Sequence, residues 1–209
     1  QVIYRDFDNK THPDFEMGFS GDVVRRGLVE SQLGADHKPV FKDTTGCPWD
    51  EATPLGCSNW SVSQPEITSK ESFDQWYRDT PDINQTFQKE LQLTDDGTGV
   101  YGYSSTAFFP LAPDEGWGIT PPTYLNQNFL FTTEIHLSFT YNAGDTFSFF
   151  GDDDLWIFIN GKLALDLGGM HGQAKGTIDF DAQAADLGIT PGRVYSMDVF
   201  HAERHTTGS

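Results

Sequence analysis

Basic residues are scarce in this 209-residue chain: 13 Lys and Arg face 31 Asp and Glu, a net charge of −18. So few cations argue against the phosphate-tracking patches of nucleic-acid binders and the polybasic segments that hold anionic membranes. No run of about 18 or more apolar residues occurs, so no helix for membrane insertion is expected. Gln1 in place of an initiator Met reads as a processed or excised chain. Cysteine is nearly absent. Cys47 and Cys57 bracket a segment holding Pro48, Pro54 and Gly56, and no Cys-x-x-Cys or Cys/His zinc spacing exists. Two cysteines closing a short irregular loop suggest one disulfide and an oxidising compartment, with free thiols as the alternative. Catalytic signatures are missing too: there is no nucleophile elbow, no His-Glu-x-x-His and no phosphate loop. Asp152, Glu203 and His205 leave acid–base chemistry as a remote reading, and the chain is expected not to be an enzyme.

Aromatic residues are abundant: 17 Phe, 7 Tyr and 5 Trp. They predict an aromatic core and favour strands. Residues 1–125 read as an irregular elaboration and 126–209 as regular strands, all within one domain. In the first part Val2–Tyr4, Glu90–Leu93 and Val100–Tyr103 read as strands. Gly27–Leu33 reads as a short helix, and Ser72–Tyr77 as one helical turn or two. In the second part Phe129–Tyr141, Thr146–Phe150, Leu155–Ile159, Lys162–Leu167, Gly176–Phe180 and Arg193–Phe200 read as strands. Asn160-Gly161 is a hairpin turn signal. The pattern predicts an all-β antiparallel sandwich with long irregular N-terminal loops and little helix. Asn59-Trp60-Ser61 and Asn84-Gln85-Thr86 fit the N-glycosylation pattern.

Asp152, Asp153 and Asp154 interrupt an aromatic run, Phe149-Phe150-Gly151 before them and Leu155-Trp156 after. Three adjacent carboxylates repel one another, and a hard cation held through oxygen is the natural compensation, with a solvated acidic turn as the alternative. Gly168-Gly169-Met170-His171 follows the hairpin, with glycines that allow close approach of a ligand. His201-Ala202-Glu203-Arg204-His205 reads as a polar loop after the last strand, suited to binding.

The run from Gly151 to His171 (Gly-Asp-Asp-Asp-Leu-Trp-Ile-Phe-Ile-Asn-Gly-Lys-Leu-Ala-Leu-Asp-Leu-Gly-Gly-Met-His) resembles the fibro-slime domain, as does Phe200-His-Ala-Glu-Arg-His-Thr. Shorter matches in the expected order include Arg5-Asp6-Phe7, His12-Pro13-Asp14-Phe15, Trp76-Tyr77-Arg78 and Phe108-Phe109-Pro110. Such domains are similar to the anthrax-protective-antigen-type β-sandwich, which has a jelly-roll-like architecture and includes lectin-like adhesins. The resemblance implies a secreted or cell-surface module that binds sugar hydroxyls through Ca²⁺. It assigns Asp152 and Asp153 to the metal, with Glu203 completing the shell. Asp154, His171, Arg204 and His205 would then contact the ligand. The implied partners are cell-surface or matrix glycans, or other copies of the chain in an extracellular filament, sheath or slime. A glycoside hydrolase accessory role is a third reading. The resemblance also implies a further strand after Ser209.

Overall fold

A computed structural model describes residues 1–16, 23–49, 65–119 and 126–205. Twelve strands and two short helices are found among them. The strands are β1 (Val2–Phe7), β2 (Val24–Arg26), β3 (Cys47–Trp49), β4 (Asn84–Lys89), β5 (Thr94–Asp95) and β6 (Tyr101–Gly102), then β7 (Phe131–Tyr141), β8 (Thr146–Gly151), β9 (Asp154–Ile159), β10 (Lys162–Leu167), β11 (Ala174–Asp179) and β12 (Arg193–Glu203). The helices are α1 (Lys70–Phe73) and α2 (Phe180–Leu187).

The architecture is an antiparallel β-sandwich with little helix. Its main sheet has six strands in the order β10-β9-β12-β7-β1-β4, and every neighbouring pair is antiparallel. The pair β8–β11 forms the second layer. Side chains alternate between faces along a strand, and β9 shows why its sequence is apolar throughout. Leu155, Ile157 and Ile159 pack with Ile178, Phe180 and Leu187 from the second layer and α2. Trp156 and Phe158 point the other way, into a core with Phe200, Phe73, Trp76 and Tyr77. Both faces of the strand are therefore buried. The β9–β10 turn takes Asn160 at φ +53° and Gly161 at φ +75°, the left-handed pair that a tight hairpin requires.

The first part of the chain is less peripheral than its composition suggests. β1 and β4 belong to the main sheet itself. Phe7, Phe15, Ile67 and Phe73 share one core with Trp156 and Phe200. Glu90–Leu93 is not a strand; the strand runs earlier, over Asn84–Lys89. Gly27–Leu33 is not a helix either. Gly27 sits at φ +84°, and the backbone bonds of this segment cross to distant chain: Glu30 N–H donates to Val40 O at 2.8 Å and Leu33 N–H to Gly161 O at 3.0 Å. α1 begins earlier than expected, at a capping box in which Ser69 and Ser72 exchange bonds. α2 was not foreseen; Asp179 caps its start and Gly188, at φ +69°, ends it.

Cys47, in β3, is disulfide-bonded; Cys57 and Asn59 lie outside the described residues. Asn84, the other candidate glycan acceptor, is buried. Its Nδ2 donates to the carbonyls of Gln75 and Arg78, each at 2.9 Å. A glycan on this nitrogen would displace at least one of those bonds and open a buried site. Among the described residues no helix is long and apolar enough to cross a membrane.

Candidate functional site

The acidic triplet lies where β8 hands over to β9, and it is not a solvated turn. Asp153 and Asp154 are buried, and Asp152 is half-buried. Asp153 adopts φ +48°, a left-handed conformation that costs a non-glycine residue about 1–2 kcal/mol. Two bonds hold it there. Its N–H donates to His171 O at 3.2 Å, and its carboxylate accepts the Arg204 N–H at 2.8 Å.

The expected binding loop after Phe200 is instead strand. β12 continues to Glu203 because His201, Ala202 and Glu203 pair with Thr133, Thr132 and Phe131 of β7, while His201 and Ala202 also face Leu155 and Asp154 of β9. This brings Glu203 and Arg204 beside the triplet, and both are buried. Arg204 is the hub. Its Nε donates to Asp154 at 2.6 Å, and its Nη1 to the carbonyls of Glu66 at 2.7 Å and Asp14 at 3.3 Å. Its guanidinium also lies 4.7 Å from the centre of the Trp76 ring, within cation–π range. The Glu66 carboxylate stands 3.9 Å from Arg204 and 3.5 Å from Arg25.

Several expected ligand contacts are thus internal. Asp154 takes Arg204 and the Gly169 N–H, the latter at 2.6 Å, and is fully buried. The ring nitrogens of His171 lie 2.7 Å from Gly172 O and 3.2 Å from Leu167 O. Arg204 has no exposed surface. These three residues are buried and bonded within the chain itself. The two glycines before Met170 also serve the chain itself: a Cβ on Gly169 would lie 2.7 Å from Arg25 Cγ, and one on Gly168 would lie 2.8 Å from Arg25 O. Of the four expected ligand contacts only His205 keeps appreciable exposure, and its Nε2 lies 3.9 Å from Glu16.

The electrostatics of the remaining trio, Asp152, Asp153 and Glu203, are unbalanced. Burial pushes the Asp153 carboxyl up to about 7; Arg204 opposes the shift and Asp154 adds to it. Glu203 is pushed well above the usual carboxylate range, first by burial and then by the charges of Asp153 and Asp152. The Asp153 and Glu203 carboxyls lie close enough for each charge to raise the other's tendency to hold a proton. Glu203 Oε2 is buried and has no hydrogen-bond partner. Along the connected chain of buried charges, Arg25 and Arg204 supply +2, while Glu66, Asp154, Asp153 and Glu203 supply −4 when ionised, leaving 2 − 4 = −2. Beside the trio, His201 is buried among Phe108, Phe131 and Thr133. Burial lowers its pKa to about 4, against the pull of Asp152 and Asp154, so the imidazole is neutral at pH 7. Among the described residues no group of three or more His, Cys, Asp or Glu side chains is placed so that it could hold a metal ion as it stands.

Sequence reasoning missed Arg25, Glu66 and Asp14. They lie more than eighty residues from the triplet along the chain, and nothing in their local sequence signals a contact with it.

No family model matches the chain. Over nearly its whole length it is similar to parts of curated Dictyostelium discoideum proteins. It is 36% identical to psiD over 203 residues, covering 94% of this chain and 37% of psiD. It is 35% identical to psiC over 207 residues, covering 93% and 36%, and 36% identical to psiQ over 210 residues, covering 94% and 19%. The chain spans about a third or less of the length of these relatives.

Proposed function

We propose that the chain is a calcium-dependent carbohydrate-binding module of a secreted or cell-surface protein, of the fibro-slime and protective-antigen type. The observation that carries this reading is the buried Glu203 carboxyl, pressed against Asp153 with Oε2 unpartnered. The donor chemistry supports a hard divalent cation. Carboxylate oxygens suit Ca²⁺, and among the described residues the connected charges sum to −2 when all four carboxylates are ionised. Asp152, Asp153 and Glu203 would hold the ion, with Asp154 left to anchor Arg204. Bound calcium would supply open coordination positions for sugar hydroxyls. The protein's own part is to bury the carboxylates, fix Asp153 between His171 and Arg204, and keep water from the inner side. The disulfide-bonded Cys47 supports an oxidising compartment.

Calorimetric titration of the metal-free protein tests the metal. Calcium is expected to bind in the range of about 10⁻⁴–10⁻³ M found for extracellular modules. At 100 times its dissociation constant it should add about 2.7 kcal/mol to stability. Asp153→Asn should remove both effects. A glycan array run with calcium and with chelator then tests the ligand. Glycan binding that persists undiminished in chelator would sink the calcium mechanism, and a folded protein that ignores calcium would sink the metal assignment.

A further inference from the structure

A groove of about 600 Å³ runs along β10, and none of Asp152, Asp153 and Glu203 lines it. Its floor is Leu163, Ala164 and Leu165, where a register shift bulges the strand away from β9. One wall comes from the N-terminal part of the chain, through Arg26 and Gln32. The other comes from β11 and α2, through Gln183 and Asp186. Bonds to the β9–β10 hairpin fix both walls. Leu163 N–H donates to Ser31 O at 3.0 Å. Lys162 Nζ donates to Asp186 O at 2.7 Å, and Asn160 Nδ2 to Leu187 O at 3.1 Å. The groove is therefore preformed, which lowers the ordering cost of binding.

Its charges cancel. Arg26 and Lys162 stand against Asp166 and Asp186, so 2 − 2 = 0 in a chain of net charge −18. Most of these groups are already engaged: Arg26 lies over the Trp49 ring at 3.6 Å and donates to Asp166 O at 3.3 Å. The Asp166 carboxylate takes Gly27 N–H at 2.8 Å and Trp156 Nε1–H at 3.0 Å. By contrast, the side chains of Gln32, Ser31 and Gln183 make no hydrogen bond to any described residue. The groove thus offers amides and a hydroxyl over an aliphatic floor, with no net charge and with the Asp186 carboxylate on the exposed rim. An extended peptide would meet a strand edge already occupied at Leu163 N–H and Asp166 O.

We propose that this groove binds a neutral saccharide of one or two rings, independently of any metal. Neutral hydroxyls match unpaired amides, and the C–H faces of a sugar match the aliphatic floor. The volume suits such a ligand. No aromatic side chain lines the groove, so affinity should be modest, with dissociation constants on the order of 1 mM.

The test is amide NMR of the whole chain in chelator, titrated separately with maltose, cellobiose, lactose and N-acetylglucosamine, and with inorganic sulfate as the anionic control. At least one sugar should shift the amides of residues 162–166 and 183–187. The double variant Gln32→Ala/Gln183→Ala should bind it at least about tenfold more weakly, with its amide spectrum otherwise preserved. Asp153→Asn should leave this binding unchanged, which separates the groove from the calcium reading. Three results would overturn the proposal: no sugar shifting these amides, equal binding by the double variant, or sulfate binding more tightly than every sugar. A parallel titration in calcium supplies a fourth: shifts that appear only there and only near Asp152 would support the calcium reading and overturn this one.

Discussion

Two buried carboxylates, Glu134 and Glu203, sit three rungs apart on the β7–β12 ladder, Glu134 opposite Phe200 and Glu203 opposite Phe131. Alternation places them on opposite faces of the sheet, and their surroundings are inverted. Glu134 is surrounded by cations. Arg5 Nη1 donates to it at 2.6 Å, Lys38 makes a direct ion pair, and His136 Nε2 lies at 2.5 Å. Burial works against its charge, but the His136 and Lys38 bonds and Arg5 hold its pKa down at about 2. Glu203 has Asp153 for a neighbour and a pKa well above the usual carboxylate range. The same sheet thus neutralises one carboxylate with its own side chains and leaves the other to a proton or an added ion. A site short of positive charge is where a cation from solution would gain most.

Removing the hub of the second site should have the largest effect. Arg204→Met leaves Asp154 and Glu66 buried without their shared cation, and strips a donor from the carbonyls of Asp14 and Glu66. Breaking a buried pair from one side costs about 3–5 kcal/mol, and urea denaturation should report a loss of at least that size. Calcium should not restore it, because Arg204 serves the contacts of Asp154 and Glu66. A loss near zero would show that water reaches these carboxylates.

Glu134→Gln breaks the comparison from the other side, with a smaller effect. Its cations have exits: Arg5 keeps Asp79 at 2.9 Å, and His136 keeps Asp198 at 2.6 Å and is partly exposed. A loss of about 1–3 kcal/mol is expected, a fall in Tm of about 2–4 °C for each kcal/mol in a chain of this size. The His136 pKa, raised to about 9 by Asp198 first and Glu134 second, should drop in the variant when followed by NMR. An unchanged imidazole titration would remove Glu134 from that account.

Much of this was legible in the sequence, unevenly along the chain. Strands from β7 onward announce themselves because alternation and the Asn160-Gly161 turn are local signals. β4 hides because Asn-Gln-Thr-Phe-Gln-Lys is an edge strand with one large apolar side chain, and α2 because Phe-Asp-Ala-Gln-Ala-Ala-Asp-Leu is short and weakly amphipathic. The triplet was legible as a concentration of charge, but the role of each carboxylate was not. Asp154 differs from Asp153 in holding the Arg204 guanidinium and the Gly169 N–H, and Arg204 reaches it only because β12 runs three residues past Phe200. That extension depends on pairing to β7 and β9, which a polar stretch such as His201-Ala202-Glu203 does not advertise.

The smallest effect is the pH dependence of the two sites, and it has opposite signs. In metal-free protein Asp153 has a folded pKa of about 7, above the ordinary aspartate value of 3.8. The folded state then holds a proton that the unfolded state has released. The stability it contributes is full below about 3.8 and is lost as pH rises to about 7. Glu203 shifts in the same direction. Glu134, lowered to about 2 from 4.5, contributes stability that is present above 4.5 and is lost as pH falls towards 2. His136 contributes stability that is full below 6.5 and is lost as pH rises through about 9. Between pH 4.5 and 6.5 the Glu134 site should therefore be flat while the Asp153 site slopes downward. Other buried groups also titrate there: Asp6, raised to about 7, adds to the slope, and His201, lowered to about 4, opposes it. The informative quantity is accordingly the Tm difference between wild type and Asp153→Asn across that window, measured in chelator. Wild type should lose stability relative to the variant as pH rises. Saturating calcium should abolish or reverse that relative loss, because the ion binds deprotonated carboxylates and its binding releases protons. A difference that stays constant with pH in chelator would mean that Asp153 is ionised in the folded protein without any metal, and the contrast between the two carboxylate sites would disappear.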